Sequence, residues 1–236
     1  MEQHLLLFFM SLYPSNLSQR EKKLRQVEYL TSIRQIKRLT NGYNWKVIYC
    51  ENTLGSLEKL EASEVGTELK LQLTSITSSN LGETNKGVGE LSMMLDAFKQ
   101  NSDLFDSAAT VSYFSGRHIM PSRHLLEKTE KLTKNALISN PDFLFLDGTY
   151  VPSEKNKMFN DMFFSMQRET FFQFVNFTEV SLFDLTSMKP LIGSEQNLYN
   201  FITQKNIDFE WLDWLGLVRR EGRRLRFRSV NRWHVC

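Results

Sequence analysis

The chain has 236 residues, 41% hydrophobic and 24% charged, a globular composition with room for one large domain or one domain with a small appendage. Lys and Arg number 29 and Asp and Glu 27, so the net charge of +2 is too small to demand a nucleic-acid partner. The two cysteines, Cys50 and Cys236, exclude a larger disulfide framework and any Cys/His zinc spacing, and they fit a reducing cytosol.

The opening HLLLFFM invites comparison with a signal peptide. It carries Glu2 instead of a basic region, and no small-residue cleavage site follows. No apolar run reaches membrane-spanning length. A buried first strand, a cytoplasmic protein and at most peripheral membrane attachment are therefore expected. Leu5 to Leu12 supplies that strand, a short apolar run with one serine, Ser11. Tyr13-Pro14-Ser15-Asn16 ends it. From Ser18 to Leu39 the positions Leu24, Val27, Leu30, Ile33 and Ile36 fall three apart among Arg and Lys, which predicts an amphipathic helix stopping near Asn41-Gly42. WKVIYC, from Trp45 to Cys50, is the second strand, so the chain opens as a right-handed βαβ unit. Glu51-Asn52-Thr53 then stands at a strand end. These residues serve equally as ligand contacts or as the makers of a turn.

Leu69 to Ile76 alternates as a third strand. Asn85-Lys86-Gly87-Val88-Gly89-Glu90 precedes a helical run from Leu91 to Phe98 and resembles a phosphate cradle, although neither the P-loop nor the dinucleotide spacing is present. Ala108 to Phe114 predicts a buried strand that breaks at Ser115-Gly116 and delivers Arg117 and His118. Arginine presents a fork of donors suited to phosphate, and ligands in α/β sheets sit beyond the carboxyl ends of strands. A helix is expected from Ser122 to Ala136, and a short strand from Asp142 to Leu146 that ends at Asp147. The Phe- and Met-rich stretch from Phe159 to Phe177 reads as a helix with Phe163, Met166, Thr170 and Phe174 on one face. Asn160, Asp161, Gln167 and Arg168 are its polar exceptions. Ser194 to Gln204 is a short helix. Trp211 to Val218 leads through Glu221-Gly222 into a second strand, a β-hairpin with seven arginines between Arg219 and Arg232. Such density attracts a nucleotide, an anionic lipid surface or nucleic acid.

The strand ends at Glu51, at 85–90, at Gly116-Arg117-His118 and at Asp147 gather diphosphate donors and candidate bases on one edge. That suits transfer from a nucleotide-activated donor. The order ENT, then NKGxGE at a helix, then an apolar strand ending in SGRH resembles a group of bacterial glycosyltransferases of capsule and O-antigen loci. Their pattern is a Glu-Asn pair after the second strand, an N-K-G segment before a helix and T-G-R-Y after a central strand. Met166-Gln167 and Leu215-Gly216 look similar as well. The resemblance implies a GT-A-like α/β fold with a Rossmann-type, mostly parallel central sheet flanked by helices and a C-terminal helical and hairpin extension. Residues 1–190 would bind the nucleotide-sugar, and 191–236 would pack on the same domain. It implies Glu51, Asn52, Thr53, Asn85, Lys86, Gly87, Gly116, Arg117 and His118 as donor contacts. Arg117 would stabilise the leaving group, and Glu90, Asp147 and Asp161 are rival general bases.

Two departures stand out. His118 replaces the tyrosine, and the metal-binding Asp-x-Asp is missing from the strand end, since Asp103 and Asp106 precede the strand. Transfer without a metal is the expectation; manganese or magnesium is left open but not favoured. The acceptor would be a glycan or lipid-linked hydroxyl, with peripheral membrane contact through the 219–228 hairpin. A nucleic-acid-binding protein with a winged-helix-like basic hairpin is the alternative. A third reading is a catalytically silent scaffold of a polysaccharide machine.

Overall fold

A computed structural model describes residues 2–70, 72–78, 85–139, 143–144, 150–151, 159–187, 193–212, 215–221 and 226–229. At its centre is β1 (Gln3–Met10), a strand buried on both faces. Alternate residues serve two cores: Leu5, Leu7 and Phe9 enter one, and Leu6, Phe8 and Met10 the other. Each such side chain withdrawn from water contributes about 1.5–3 kcal/mol, which explains why this strand tolerates no polar residue between Leu5 and Met10.

Helix α1 (Gln19–Thr40) starts where Ser18 caps the amide of Glu21 and Glu21 returns a bond to Ser18, a full capping box. Its Tyr29, Ile33, Ile36 and Leu39 pack on one face of the sheet. Strand β2 (Trp45–Glu51) then pairs parallel to β1. The expected βαβ opening is thus present. After it come two short helices, α2 (Leu57–Glu61) and α3 (Glu64–Leu69), that the sequence reading omits. The third strand is accordingly shorter than expected, β3 (Leu73–Ile76), because Leu69 belongs to α3.

Helix α4 (Lys86–Gln100) is followed by α5 (Ser102–Ser107) and β4 (Ala108–Ser115), which pairs parallel to β1 on the side away from β2. The expected helix from Ser122 to Ala136 is cut short. Helix α6 (His124–Glu130) stops early, and β5 (Ala136–Ser139) takes residues fully buried between two sheet neighbours. The strand expected over 142–146 is not in the main sheet. Its β6 (Phe143–Leu144) pairs with β7 (Tyr150–Val151) in a separate two-stranded ladder.

The Phe-rich stretch is corrected too. Its first part is β8 (Asn160–Gln167), antiparallel to both β4 and β5, and the helix α7 (Arg168–Ser187) begins where the polar pair was placed mid-helix. Phe163 lies in one core while Phe164 and Met166 lie in the other. A strand buried on both faces shows no polar alternation, so its apolar spacing mimics a helix stripe. In its middle a hydroxyl chain links Ser112, Ser165 and Thr129 at 2.6 and 2.7 Å, so these buried polar groups are satisfied.

Helix α8 (Ser194–Gln204) buries Leu198, Phe201 and Ile202 in the main core, and β9 (Phe209–Leu212) forms the last strand of the sheet beside β5. Trp211 and Leu212 therefore belong to the central sheet and not to the hairpin. The hairpin itself is present as β10 (Val218–Glu221) and β11 (Arg226–Ser229), with Arg219 opposite Arg228. The seven-stranded sheet has the order β3-β2-β1-β4-β8-β5-β9, and β8 runs against the rest. Helices α1, α3 and α6 cover one face, and α4, α7 and α8 the other. Among the described residues no helix is long and apolar enough to cross a membrane.

Candidate active site

From β1 the chain proceeds to β2 and β3 on one side and returns to β4 on the other. That reversal opens a crevice beyond the carboxyl ends of the strands, where ligands bind in open α/β sheets. A cleft of about 320 Å3 occupies it, lined by the ends of β1 and β4, the loop after β2 and the first turns of α4.

Glu51 organises the floor. Its carboxylate is fully buried and accepts the amides of Leu12 at 3.0 Å, Thr53 at 2.8 Å and Leu54 at 2.8 Å, together with the Thr53 hydroxyl. One side chain thus ties the loop after β1 to the loop after β2 through charge-assisted bonds. Thr53 extends the tie by accepting the Tyr13 amide at 2.8 Å. Asn52 lines the cleft and accepts the Ser11 hydroxyl at 2.7 Å. Of the three expected donor contacts after β2, Asn52 and Thr53 line the cleft and the buried Glu51 does not.

The SGRH segment divides in the same way. Arg117 lines the cleft and pairs with Glu28 at 3.2 Å. Gly116 is set by sterics: a β-carbon there would drive into the Phe8 ring and lie 2.7 Å from the Phe9 carbonyl oxygen. His118 is buried and turned inward, with Nδ1 3.1 Å from the Ser115 carbonyl, while its own carbonyl accepts the Ser32 hydroxyl at 2.6 Å. It does not line the cleft.

The NKGVGE stretch is not a loop ahead of a helix. Asn85 is the N-cap of α4, accepting the Val88 amide at 3.3 Å, and Lys86 to Glu90 are already helical. Gly87 allows close helix contact, since a β-carbon would sit 2.5 Å from the Ser194 amide nitrogen. Lys86, with its side chain 75% exposed, and Glu90 reach the cleft and pair at 3.0 Å. Protein around the cleft partly desolvates the exposed Lys86 ammonium, but Glu90, Asp161 and Glu195 outweigh this and raise its proton affinity.

Asp161 arrives from the other direction. Because β8 is antiparallel, its first residues meet the edge where the parallel strands end. Ser194, the first residue of α8, bonds Glu90 at 3.0 Å and Asp161 more closely. Burial, reinforced by Glu90 and Glu195, pushes the Asp161 carboxyl up to about 8. Tyr113, buried against Glu90, is raised well above the usual tyrosine range by desolvation and by that carboxylate. Asp147 lies outside the described residues. Asp103 and Asp106 are on α5, before β4 begins. Among the described residues no group of three or more His, Cys, Asp and Glu is placed to hold a metal ion.

Sequence reasoning missed Arg25, Tyr29, Ser11 and Ser194. Arg25 lines the cleft and bonds the Ser11 carbonyl at 3.2 Å. Burial lowers its pKa, and the nearby Arg117 charge adds to that. The Tyr29 hydroxyl accepts the Ser11 amide at 2.9 Å. Nothing in the sequence marks Arg25 among the many basic residues of α1. Ser194 was legible only as a helix start.

No family model matches the sequence, and no curated protein matches it. Solved structures do. A glycosyltransferase involved in the glycosylation of the major capsid of PBCV-1 aligns over 90% of this chain and 82% of its own, with a TM-score of 0.50 at 10% identity. A protein classed as a nucleotide-diphospho-sugar transferase, from Desulfovibrio desulfuricans G20, covers 90% and 80% with a TM-score of 0.49 at 13% identity. The WbbM bifunctional glycosyltransferase covers 90% of this chain and 39% of its own, with a TM-score of 0.48 at 9% identity. At these identities the likeness is one of architecture, carried by the capsid glycosyltransferase. The seven-stranded, mostly parallel sheet flanked by helices is a GT-A glycosyltransferase fold.

Proposed function

We propose that the chain is a glycosyltransferase that moves a sugar from a nucleoside-diphosphate donor to a hydroxyl of a glycan or lipid-linked acceptor in surface-polysaccharide synthesis. The observation that carries this reading is a cleft at the sheet's switch point, walled by Arg25, Arg117 and Lys86 and flanked by Glu90. Three cations reach the cleft, Arg25 from the α1 side, Lys86 from the α4 side and Arg117 from the end of β4, and together meet the charge of a departing diphosphate. The acceptor oxygen bonds the sugar's anomeric carbon and gives its proton to a carboxylate. The bond from that carbon to the phosphate oxygen breaks, and the electron pair leaves with the diphosphate. Arg25, Arg117 and Lys86 supply the neutralisation without a metal ion.

The basic hairpin has a place in this reading. Val218, at its root, exchanges backbone bonds of 2.7 and 2.9 Å with Ile119, two residues beyond Arg117. An anionic membrane bearing a lipid-linked acceptor would meet the protein there, at the cytoplasmic face. The same paired hairpin is what favours the second reading, a nucleic-acid-binding protein.

The test is thermal denaturation with UDP, GDP, CMP or dTDP, each with and without manganese. A ligand at a hundred times its dissociation constant adds about 2.7 kcal/mol, so Tm rises by roughly 5–10 °C. One nucleotide shifting Tm without manganese is the expected result. A shift that requires manganese refutes the metal-free mechanism, and no shift with any nucleotide refutes the transferase reading.

A further inference from the structure

The Ser194 hydroxyl has one hydrogen and touches two carboxyl groups. Its Oγ lies 3.0 Å from Glu90 Oε2 and closer still to Asp161 Oδ2. A hydroxyl donates once and accepts through its lone pairs. With both carboxyls ionised, one of the two short contacts would set oxygen against oxygen with no hydrogen between. Both contacts become hydrogen bonds when one carboxyl brings its own proton.

The surroundings decide which. From α4, Lys86 Nζ holds Glu90 at 3.0 Å. From β4, the buried Tyr113 lies beside Glu90. From α8, Ser194 is the second donor to that carboxylate. Asp161, on β8, is 6% exposed, and Glu90 and Glu195 bring it further negative charge. Glu90 lines the cleft; Asp161 stands behind it. Like charges this close cannot both stay ionised.

We propose that Glu90 and Asp161 hold one proton between them through Ser194, so that Glu90 is the ionised carboxylate facing the cleft and Asp161 the neutral acid behind it. Asp161 donates to the Ser194 oxygen, and Ser194 donates to Glu90. The proposal deepens the transferase reading and rests on it for its purpose. Between these two candidate bases it assigns the acceptor's proton to Glu90 and makes Asp161 and Ser194 positioning residues. Asp161 keeps a second negative charge away from the arriving diphosphate.

The experiment is a carbon-13 NMR titration of the full chain labelled at the Asp and Glu side-chain carboxyl carbons. Wild type is compared with Asp161→Asn, Glu90→Gln and Ser194→Ala. The signal lost in Asp161→Asn is expected to stay protonated above about pH 6, outside the ordinary carboxylate range, and to move at or above neutrality. In Glu90→Gln the Asp161 midpoint should fall by at least about one pH unit, and in Ser194→Ala, which removes the oxygen that accepts the Asp161 proton, it should fall as well. An Asp161 signal that titrates below about pH 5, or one that Glu90→Gln leaves unmoved, overturns the proposal. If Glu90→Gln does not fold, an Asp161 midpoint that Ser194→Ala leaves unmoved overturns it instead. No nucleotide is needed, so a chain that binds none loses the transferase reading while proton sharing is judged on its own titration.

Discussion

Replacing Glu51 with alanine separates two roles that the sequence leaves open for this residue, contact with the donor and construction of the cleft. The buried carboxylate accepts three backbone amides and one hydroxyl. The Leu12 amide is buried, and leaving it without a partner costs about 1–3 kcal/mol. The amides of Thr53 and Leu54 are partly buried and recover some bonding to water, so each loses about 1 kcal/mol. The total is about 3–5 kcal/mol, enough to lower Tm by roughly 10 °C in a chain of this length. Glu51→Gln keeps one accepting oxygen and should lie between wild type and Glu51→Ala. The assay is urea unfolding of all three proteins, alongside binding of whichever nucleotide shifts wild type. Stability and nucleotide affinity should fall together, because the loops after β1 and β2 lose their common tie. A Glu51→Ala protein with wild-type stability and selectively weakened nucleotide binding would refute the reasoning and make Glu51 a ligand contact.

Arg117→Ala should lower turnover at least about 100-fold without unfolding the protein, as loss of a charge on the leaving group would; retained activity in a folded variant removes Arg117 from the site. Stability should also depend on pH through Asp161. Its carboxyl is raised from 3.8 to about 8 in the folded chain, so between those values the folded state binds more protons than the unfolded state. Stability therefore falls as pH rises through that window, by roughly 1 kcal/mol per unit where the coupling is complete. Urea midpoints at successive pH values should decline more steeply for wild type than for Asp161→Asn, and parallel curves would contradict the shift.

Much of the first half was legible because its signals are local. Leu5 to Leu12 is too apolar to lie anywhere but a sheet centre, and Ser18 with Glu21 marks the start of α1 whatever surrounds it. The break at Ser115-Gly116 delivers Arg117 to the carboxyl edge of β4 because a central parallel strand ends at that edge. The pairing of β10 with β11 agrees with the Glu221-Gly222 signal in the sequence.

Tertiary structure decided the rest. Asn160 to Gln167 became a strand because β4 and β5 offered it hydrogen bonds on both sides, a choice that its helix-like apolar spacing did not announce. The predicted helix stops short of Ala136 for the same reason, since that residue opens β5 between β8 and β9. Lys86 and Glu90 lie four residues apart and were visible together. Asp161 and Ser194 meet them only because β8 is antiparallel and α8 packs its first turn against Gly87. Local sequence fixes the direction of a strand end. Which distant strand ends share a proton is set by the sheet order and by the burial that makes sharing necessary.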